Sequence, residues 1–171
     1  MVREHLNDIP PCPLPAGYTL RAFQPGDEPR WVRIQALADR YNDITPALFV
    51  REFNQNLAVL AARQLYLCDA AGSAIGTATA WRGTLSSDQP IGRIHWVAIV
   101  PDRQGQGLAK PLMAAACRRV RELGHARAYL TTSTARVPAI NLYLRFGFQP
   151  LVGSLEARQA WQAIQPRLKY R

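Results

Sequence analysis

The sequence is short of cysteine, of acidic residues and of long apolar runs. Its three cysteines, Cys12, Cys68 and Cys117, are widely spaced, which excludes a disulfide framework and zinc-ligand spacing. No apolar run approaches the roughly 18 residues of a membrane-spanning helix. The first 17 residues carry charges and four prolines instead of the apolar segment of a secretory signal. We therefore predict a cytoplasmic protein that needs no membrane and no bound metal.

The scarcity of acidic residues leaves the chain strongly basic. Twelve Asp and Glu face 21 Lys and Arg, for a net charge of +9. This charge favours an anionic partner: nucleic acid, a membrane surface or a phosphorylated small molecule. The arginines are scattered without a long basic block, and no aromatic–basic platform accompanies them. We therefore do not expect a nucleic-acid partner.

Internal repeats and interdomain linkers are also missing, so we predict one domain at 18–171, preceded by an extended, Pro-rich lead-in at 1–17 that is either loosely packed or disordered. Periodicity and turn signals predict a strand, two helices and a hairpin in the first half. We expect Asp27 to cap the first helix, Thr45 the second, and Gly83–Gly92 to form a loop. The predicted elements are Tyr18–Phe23, Glu28–Arg40, Pro46–Asn56, Leu60–Asp69 and Ala74–Trp81.

The second half reads as a strand–helix–strand crossover. Arg93–Val100 is rich in Ile and Val, Leu108–Leu123 has an apolar stripe that ends at Gly124, and Ala126–Thr132 is again β-prone. This order predicts a mixed α+β fold with a parallel pair of strands. The remaining predicted elements are a helix at Ala139–Phe146, a strand starting at Phe148, and a helix at Leu155–Ile164 capped by Ser154.

The segment Val97–Ala109 (VAIVPDRQGQGLA) joins the buried strand to the helix through a turn with two glycines. Gly105 and Gly107 allow backbone N–H groups to converge, and the start of a helix adds further unpaired N–H groups and a positive dipole end. The turn is thus suited to a pyrophosphate. A dinucleotide fingerprint would need Gly or Ala where Lys110 stands, and a Walker A loop is absent. A plain strand-to-helix turn remains the alternative.

These residues resemble the signature of the GNAT acetyltransferase superfamily, Gln/Arg-x-x-Gly-x-Gly/Ala, and Ala98–Pro101 resembles the strand end that precedes it. The resemblance implies an α+β GNAT fold with a mixed central sheet, splayed at its middle strands by a β-bulge, and helices on both faces. It implies acetyl-CoA as cosubstrate. The backbone of Val97, Ala98 and Ile99 would pair with pantetheine, and the amides of Gln104, Gly105, Gln106, Gly107, Leu108 and Ala109 would hold the pyrophosphate.

A second block, 139–148, is similar to the family's A-I-x-L-Y-x-x-x-G-F pattern. The resemblance implies that Tyr143 protonates the departing thiolate and makes Asn141 a candidate partner of pantetheine or pyrophosphate. The alternative for Tyr143 is a buried aromatic residue with a satisfied hydroxyl. Arg136 stands where the family often has Asn, and it is a candidate for a CoA phosphate.

The amine must lose a proton before attack, and His95 on the Ile- and Val-rich strand is the leading candidate base. A core histidine bonded to a neighbour is the alternative. No Cys has a marked His/Asp partner, so direct transfer in a ternary complex is expected.

We expect the acceptor between 40–53 and 81–92. Carboxylates there either attract a cationic amine or are solvated surface charges, and nearby aromatic residues either shape the pocket or fill the core. The carboxylates are Asp43, Glu52 and Asp88; the aromatic residues are Trp31, Tyr41 and Trp81; and basic candidates for CoA are Arg103, Lys110, Arg136 and Arg145.

The sequence therefore predicts an N-acetyltransferase that moves an acetyl group from acetyl-CoA to a primary amine of a small molecule, amino acid or protein. The prediction allows for a homodimer. The alternative is a catalytically silent CoA-binding sensor or interaction module. Retention of Tyr143 favours turnover.

Overall fold

The computed structural model describes residues 1–53, 57–85 and 90–170. Its six strands are β1 (Val2–Arg3), β2 (Thr19–Ala22), β3 (Gln64–Cys68), β4 (Ala74–Thr84), β5 (Pro90–Ile99) and β6 (Ala128–Tyr129). The helices are α1 (Glu28–Ala38), α2 (Pro46–Phe53), α3 (Leu57–Arg63), α4 (Ala109–Glu122), α5 (Val137–Arg145) and α6 (Leu155–Ile164). Short 3₁₀ turns follow β5 at Pro101–Arg103 and α6 at Gln165–Arg167.

One mixed sheet organises the molecule. Its strand order is β1-β6-β5-β4-β3-β2, with β5 and β6 parallel and the other neighbours antiparallel. The predicted β5–α4–β6 crossover is present. No helix in the described part of the chain is long and apolar enough to span a bilayer.

Helices cover both faces of the sheet, as predicted. On one face the fully buried Trp31 of α1 contacts Trp96 of β5, with 5.2 Å between ring centroids. On the other face Val120 of α4 occupies the space where a Cβ on Gly92 would lie, 2.1 Å away. Glycine at position 92 therefore lets α4 pack closely on β5.

Several predicted boundaries are wrong. Residues 60–63 belong to helix α3, not to the first hairpin strand, because the run LAVLAAR contains mainly good helix formers. Strands β4 and β5 extend into the predicted loop at 83–92, whose residues 86–89 lie outside the described part. After Phe148 the chain forms a single bridge, Val2 to Gln149, instead of a strand.

The lead-in at 1–17 is extended but not loosely packed. β1 pairs with β6, and Leu6 is fully buried. The buried Arg3 donates hydrogen bonds to the carbonyl oxygens of His5, Asp8 and Phe146. These contacts satisfy its guanidinium without a carboxylate and fix the N-terminus to the end of α5.

Two of the predicted caps are present. Thr45 Oγ1 accepts from the Leu48 amide and Ser154 Oγ from the Ala157 amide. Asp27 stands at the start of α1, but its side chain makes no cap bond to the helix. Instead, the buried carboxylate pairs with Arg21 and Arg30.

Candidate active site

The parallel strands β5 and β6 separate soon after they meet. Their ladder consists of two pairs, Gly92 with Ala128 and Arg93 with Tyr129. Beyond Arg93 the strand β5 runs on to Ile99 with partners on β4 alone. Among the described residues, no strand pairs with the edge of 94–99 that faces β6, and a slot opens between the two strands.

A β-bulge accompanies this separation. Thr77 of β4 pairs with Ala98, but Thr79 pairs with His95, so β5 has one extra residue between them. Trp96, within the bulge, has φ of +50°, a left-handed conformation that is unusual for a side chain other than glycine. Its carbonyl oxygen accepts a 2.9 Å hydrogen bond from the buried Gln35 of α1, which holds the bulge in place.

The turn after β5 leaves a row of amides unpaired. Gly105 and Gly107 have φ of +75° and +80°, and a Cβ on either would meet no atom within 4 Å. Among the described residues, no group accepts from the N–H groups of 105–109, whereas the Lys110 amide bonds to Gly107 O. Five consecutive free donors therefore surround an open space at the start of α4, which suits a diphosphate.

The two glutamines of the turn shape it from within. The Gln104 amide donates to Pro101 O and its side chain to Ile99 O at 2.7 Å, so Gln104 braces the turn instead of offering a free N–H. Gln106 accepts from the Tyr18 hydroxyl and donates to Asp102 O. Leu108 is buried and fixes the turn to the core, and Pro111 lies in the first turn of α4, where its missing N–H is harmless.

Two residues of α5 face different surroundings. Tyr143 is 9% exposed, packs on Phe148, and its hydroxyl has no hydrogen-bond partner in the described ranges. Burial raises the pKa of Tyr143 to about 12. The side chain of Asn141 donates to Val137 O and accepts from the Lys169 amide, so its polar atoms are engaged inside the protein. Its contact with the cosubstrate stays a prediction.

The buried His95 pairs with the half-buried Glu52 beside the bulge. Nε2 of His95 lies 2.8 Å from Oε2 of Glu52, and the same oxygen accepts from Trp96 Nε1 at 3.0 Å. Glu52 is thus not the solvated surface charge that the sequence favoured. With Glu52 ionised, His95 carries its proton on Nε2 and leaves the lone pair on Nδ1.

The environment of this pair determines its charge state. Burial, followed by the charge of Arg93, lowers the pKa of His95 to about 4, although Glu52 acts in the opposite direction. Burial would raise the pKa of Glu52, but the hydrogen bonds from Trp96 and His95, together with the charges of His95 and Arg93, outweigh it and lower that pKa. At neutral pH the pair is therefore a neutral imidazole against a carboxylate.

The other charged candidates differ in their availability. Arg136 binds both oxygens of Asp39 and lies over the Tyr41 ring, and Arg145 donates to the Tyr170 hydroxyl. Arg103 lies 3.7 Å from Asp69. Lys110 and Asp43 are exposed without a partner in the described ranges, and Asp88 lies outside them. Of the aromatic candidates, Trp31 fills the core and Tyr41 is exposed. The ring of Trp81 packs on that of Phe53, with 5.5 Å between ring centroids.

Sequence reasoning missed the residues at the closed end of the slot. Arg93 and Tyr129 form the last strand pair, and the Arg93 guanidinium lies 5.8 Å from the Tyr129 ring centroid. A Cβ on Gly83 would lie 2.2 Å from the Tyr129 hydroxyl, so glycine there makes room for this ring. The signal was available in the period-2 pattern, which puts Arg93 and His95 on one face of β5. No pattern in the sequence predicted that Tyr129 pairs with Arg93.

The N–H groups of 105–109, which we call the amide cradle, have no acceptor among the described residues and follow the strand that leaves its parallel neighbour, an arrangement suited to a protein that binds a CoA thioester. The family model described as "Acetyltransferase (GNAT) family" matches residues 30–148. The chain belongs to that family. The predicted family and fold class are confirmed.

Similar proteins agree with this membership. The mycothiol acetyltransferase of Pseudarthrobacter chlorophenolicus is 32% identical over 153 residues, which cover 82% of this chain and 45% of that protein. The chain therefore spans about half the length of the curated relatives it matches. A GCN5-related N-acetyltransferase from Sphaerobacter thermophilus has a TM-score of 0.69 and 22% identity, with 86% of this chain and 46% of that chain covered. A chain of the NatC complex bound to Gag peptide and CoA has a TM-score of 0.65 and 18% identity, with 82% of this chain and 92% of that chain covered.

Proposed function

We propose that this protein transfers the acetyl group of acetyl-CoA directly to a primary amine within a ternary complex. The observation that carries the proposal is the row of five free amides at 105–109, beside the unpaired edge of β5. A diphosphate held there directs the pantetheine arm along Val97, Ala98 and Ile99 toward the bulge. The thioester then ends near His95.

In this proposal His95 is the base. Its Nδ1 takes a proton from the acceptor ammonium, directly or through one water, and Glu52 stabilises the imidazolium that forms. Support comes from the 2.8 Å contact of Nε2 with Glu52, which fixes the tautomer. The freed amine lone pair then attacks the thioester carbonyl.

Tyr143 is the acid of the proposal. Its hydroxyl gives a proton to the sulfur as the C–S bond breaks, so CoA leaves as a thiol, and the phenolate regains a proton as the new amide nitrogen loses its second one. The absence of a partner for this hydroxyl among the described residues supports the role, because a tyrosine held for structure alone normally bonds its hydroxyl. The raised pKa keeps the proton on Tyr143 until the thiolate forms.

The acceptor is proposed only as a primary amine. Relatives named mycothiol acetyltransferase are about twice as long, so their acceptor is not assigned to this chain. A silent CoA-binding module would keep the amide cradle but would have no need of the Glu52–His95 pair or of a free Tyr143 hydroxyl. The remaining partner predictions, a homodimer and no nucleic acid, stay predictions.

Two measurements test the proposal. Thiol release from acetyl-CoA is followed with a mixed panel of amines, and acetyl-CoA affinity is measured by calorimetry for Gly107→Glu. We expect acceptor-dependent thiol release, and loss of binding by at least about 100-fold in the variant, because a carboxylate enters the anion site.

Gly124→Glu is the matched control. Gly124 also has a positive φ, +88°, in open space, but it stands at the opposite end of α4. It carries the same strain and charge without blocking the cradle. Unchanged acetyl-CoA affinity in Gly107→Glu, or an equal loss in both variants, would remove the assignment of the anion site.

A further inference from the structure

Arg93 is an unpaired cation next to the proposed base. Its Nε is buried without a hydrogen-bond partner, and within the described residues no carboxylate oxygen lies within 4 Å of its guanidinium. Its guanidinium lies over the Tyr129 ring, 5.8 Å from the ring centroid. Arg21 and Arg136, in comparison, each bind a carboxylate through two hydrogen bonds. The charge of Arg93 acts on Glu52 and lowers its pKa, but no described group accepts from the buried Nε, so an anionic group of a bound molecule can take that place.

The position of Arg93 indicates where that partner lies. Residues 93–95 form a regular ladder with β4, in which Arg93 pairs with Trp81 and His95 with Thr79. Arg93 and His95 therefore share a face of β5, about 7 Å apart along the strand. Arg93 also belongs to the last pair before β5 and β6 separate, so it stands beyond the bulge, on the side opposite the amide cradle. The anion is thus part of the acceptor and not of acetyl-CoA.

We infer that the acceptor is an amine that carries an anionic group, a carboxylate or a phosphate, and that Arg93 binds this group while His95 receives the proton of the amine. The inference rests on the proposed acetyltransferase function and names its substrate class. Trp81 and Tyr129 are the strand partners of Arg93 on β4 and β6, and the Tyr129 ring lies 5.8 Å from the guanidinium.

The electrostatic interaction between Arg93 and His95 supports the same assignment. The charge of Arg93 is the second cause, after burial, that disfavours the protonated form of His95. An anion bound to Arg93 compensates this charge, so the correct acceptor makes its own base more effective. A neutral amine lacks this compensation and is expected to be a poorer substrate at equal size.

Matched acceptor pairs test the inference and show whether the anionic group is a carboxylate or a phosphate. One pair is an α-amino acid and its amide; the other is 2-aminoethyl phosphate and ethanolamine. We expect the wild-type protein to favour the anionic member of at least one pair by about 10-fold or more in kcat/KM. Arg93→Gln should remove most of this preference and leave the neutral member within about 3-fold.

Arg82→Gln is the control variant, because Arg82 is an exposed residue on the other face of β4 from Trp81 and loses the same charge. It should keep the preference. Equal kcat/KM within both wild-type pairs, or an equal loss for both members in Arg93→Gln, would overturn the inference. The second result would mean that Arg93 acts on His95 and not on the acceptor.

A binding measurement decides the case without turnover. The Nε–H resonance of Arg93, assigned by its loss in Arg93→Lys, is titrated with inorganic phosphate and with acetate in the CoA-bound protein. A saturable shift with either anion is expected, and a resonance that moves with neither contradicts the inference. If no amine is acetylated but this resonance still shifts, the proposed function fails while the anion site at Arg93 stands.

Discussion

At the scale of single residues, Trp96 shows how the site stores strain. A φ of +50° costs a bulky side chain roughly 1–2 kcal/mol, and neighbouring groups must hold it. Gln35 bonds the Trp96 carbonyl, and Glu52 bonds its indole N–H. Strain of this kind persists where the surrounding contacts fix it, and here it coincides with the point where β5 leaves β6.

Gln35→Leu should loosen this bulge. The substitution leaves a buried carbonyl without its donor, which costs about 1–3 kcal/mol of unfolding free energy. We also expect a higher KM for acetyl-CoA, because the bulge determines the width of the slot. Urea denaturation and initial rates measure both effects. Gln162→Leu, at an exposed position of α6, should stay within about 0.5 kcal/mol; an equal loss in both variants would contradict the role of Gln35.

Tyr143→Phe should separate catalysis from stability. The hydroxyl has no partner in the described ranges, so its removal should change the unfolding free energy by less than about 0.5 kcal/mol. The loss of the acid should lower kcat by about 100-fold or more without changing acetyl-CoA affinity. Unaltered kcat would refute the acid role.

Tyr66→Phe is the converse control. The Tyr66 hydroxyl is bonded to Gln64 Oε1 at 2.8 Å and to Asp27 O at 3.2 Å. We expect a loss of about 1–2 kcal/mol in stability with nearly normal kcat.

The buried His95 predicts an acid-sensitive stability. In the unfolded chain its pKa is near 6.5, but in the folded protein it is lowered to about 4, so the unfolded state binds more protons as pH falls. Unfolding free energy should therefore drop by about 2 kcal/mol between pH 7 and pH 5 from this group. Glu52, whose pKa is lowered below an already acidic value, contributes little in that window.

Denaturation at several pH values compares the wild type with His95→Gln. The variant should have a shallower slope across this window, and His125→Gln should keep the wild-type slope more closely, because His125 is less buried. Parallel slopes in wild type and His95→Gln would mean that His95 titrates normally.

At the scale of elements, local sequence signals predicted the helices whose formation depends on neighbouring residues. Helix α4 follows its apolar stripe and ends at Glu122, just before Gly124, and α6 follows its Ser154 cap. The pairing of β1 with β6 depends on residues about 126 positions apart, so no local pattern contains it. The same holds for the site: the glycine turn was visible in the sequence, whereas Glu52 meets His95 only through the packing of α2 on β5.

Arg3→Met tests how much β1 contributes. Arg3 donates to three carbonyl groups, and the substitution leaves them unpaired while keeping an apolar stem. We expect a loss of about 3 kcal/mol in unfolding free energy with near-normal kcat below the melting temperature. Arg158→Met, at an exposed position of α6, is the control. A stability close to wild type in Arg3→Met would show that the N-terminal segment is dispensable.

At the scale of the whole molecule, the net charge of +9 should steer the anionic cosubstrate. Acetyl-CoA carries about four negative charges, and the Debye length falls from about 14 Å at 50 mM salt to about 4 Å at 500 mM. KM for acetyl-CoA should therefore rise by about 3- to 10-fold over this range with little change in kcat. Acetyl-pantetheine, which lacks the phosphates, is the matched donor and should show a flat KM. Equal salt dependence for both donors would mean that the charge acts on the acceptor or on the fold, and not on the phosphates at residues 105–109.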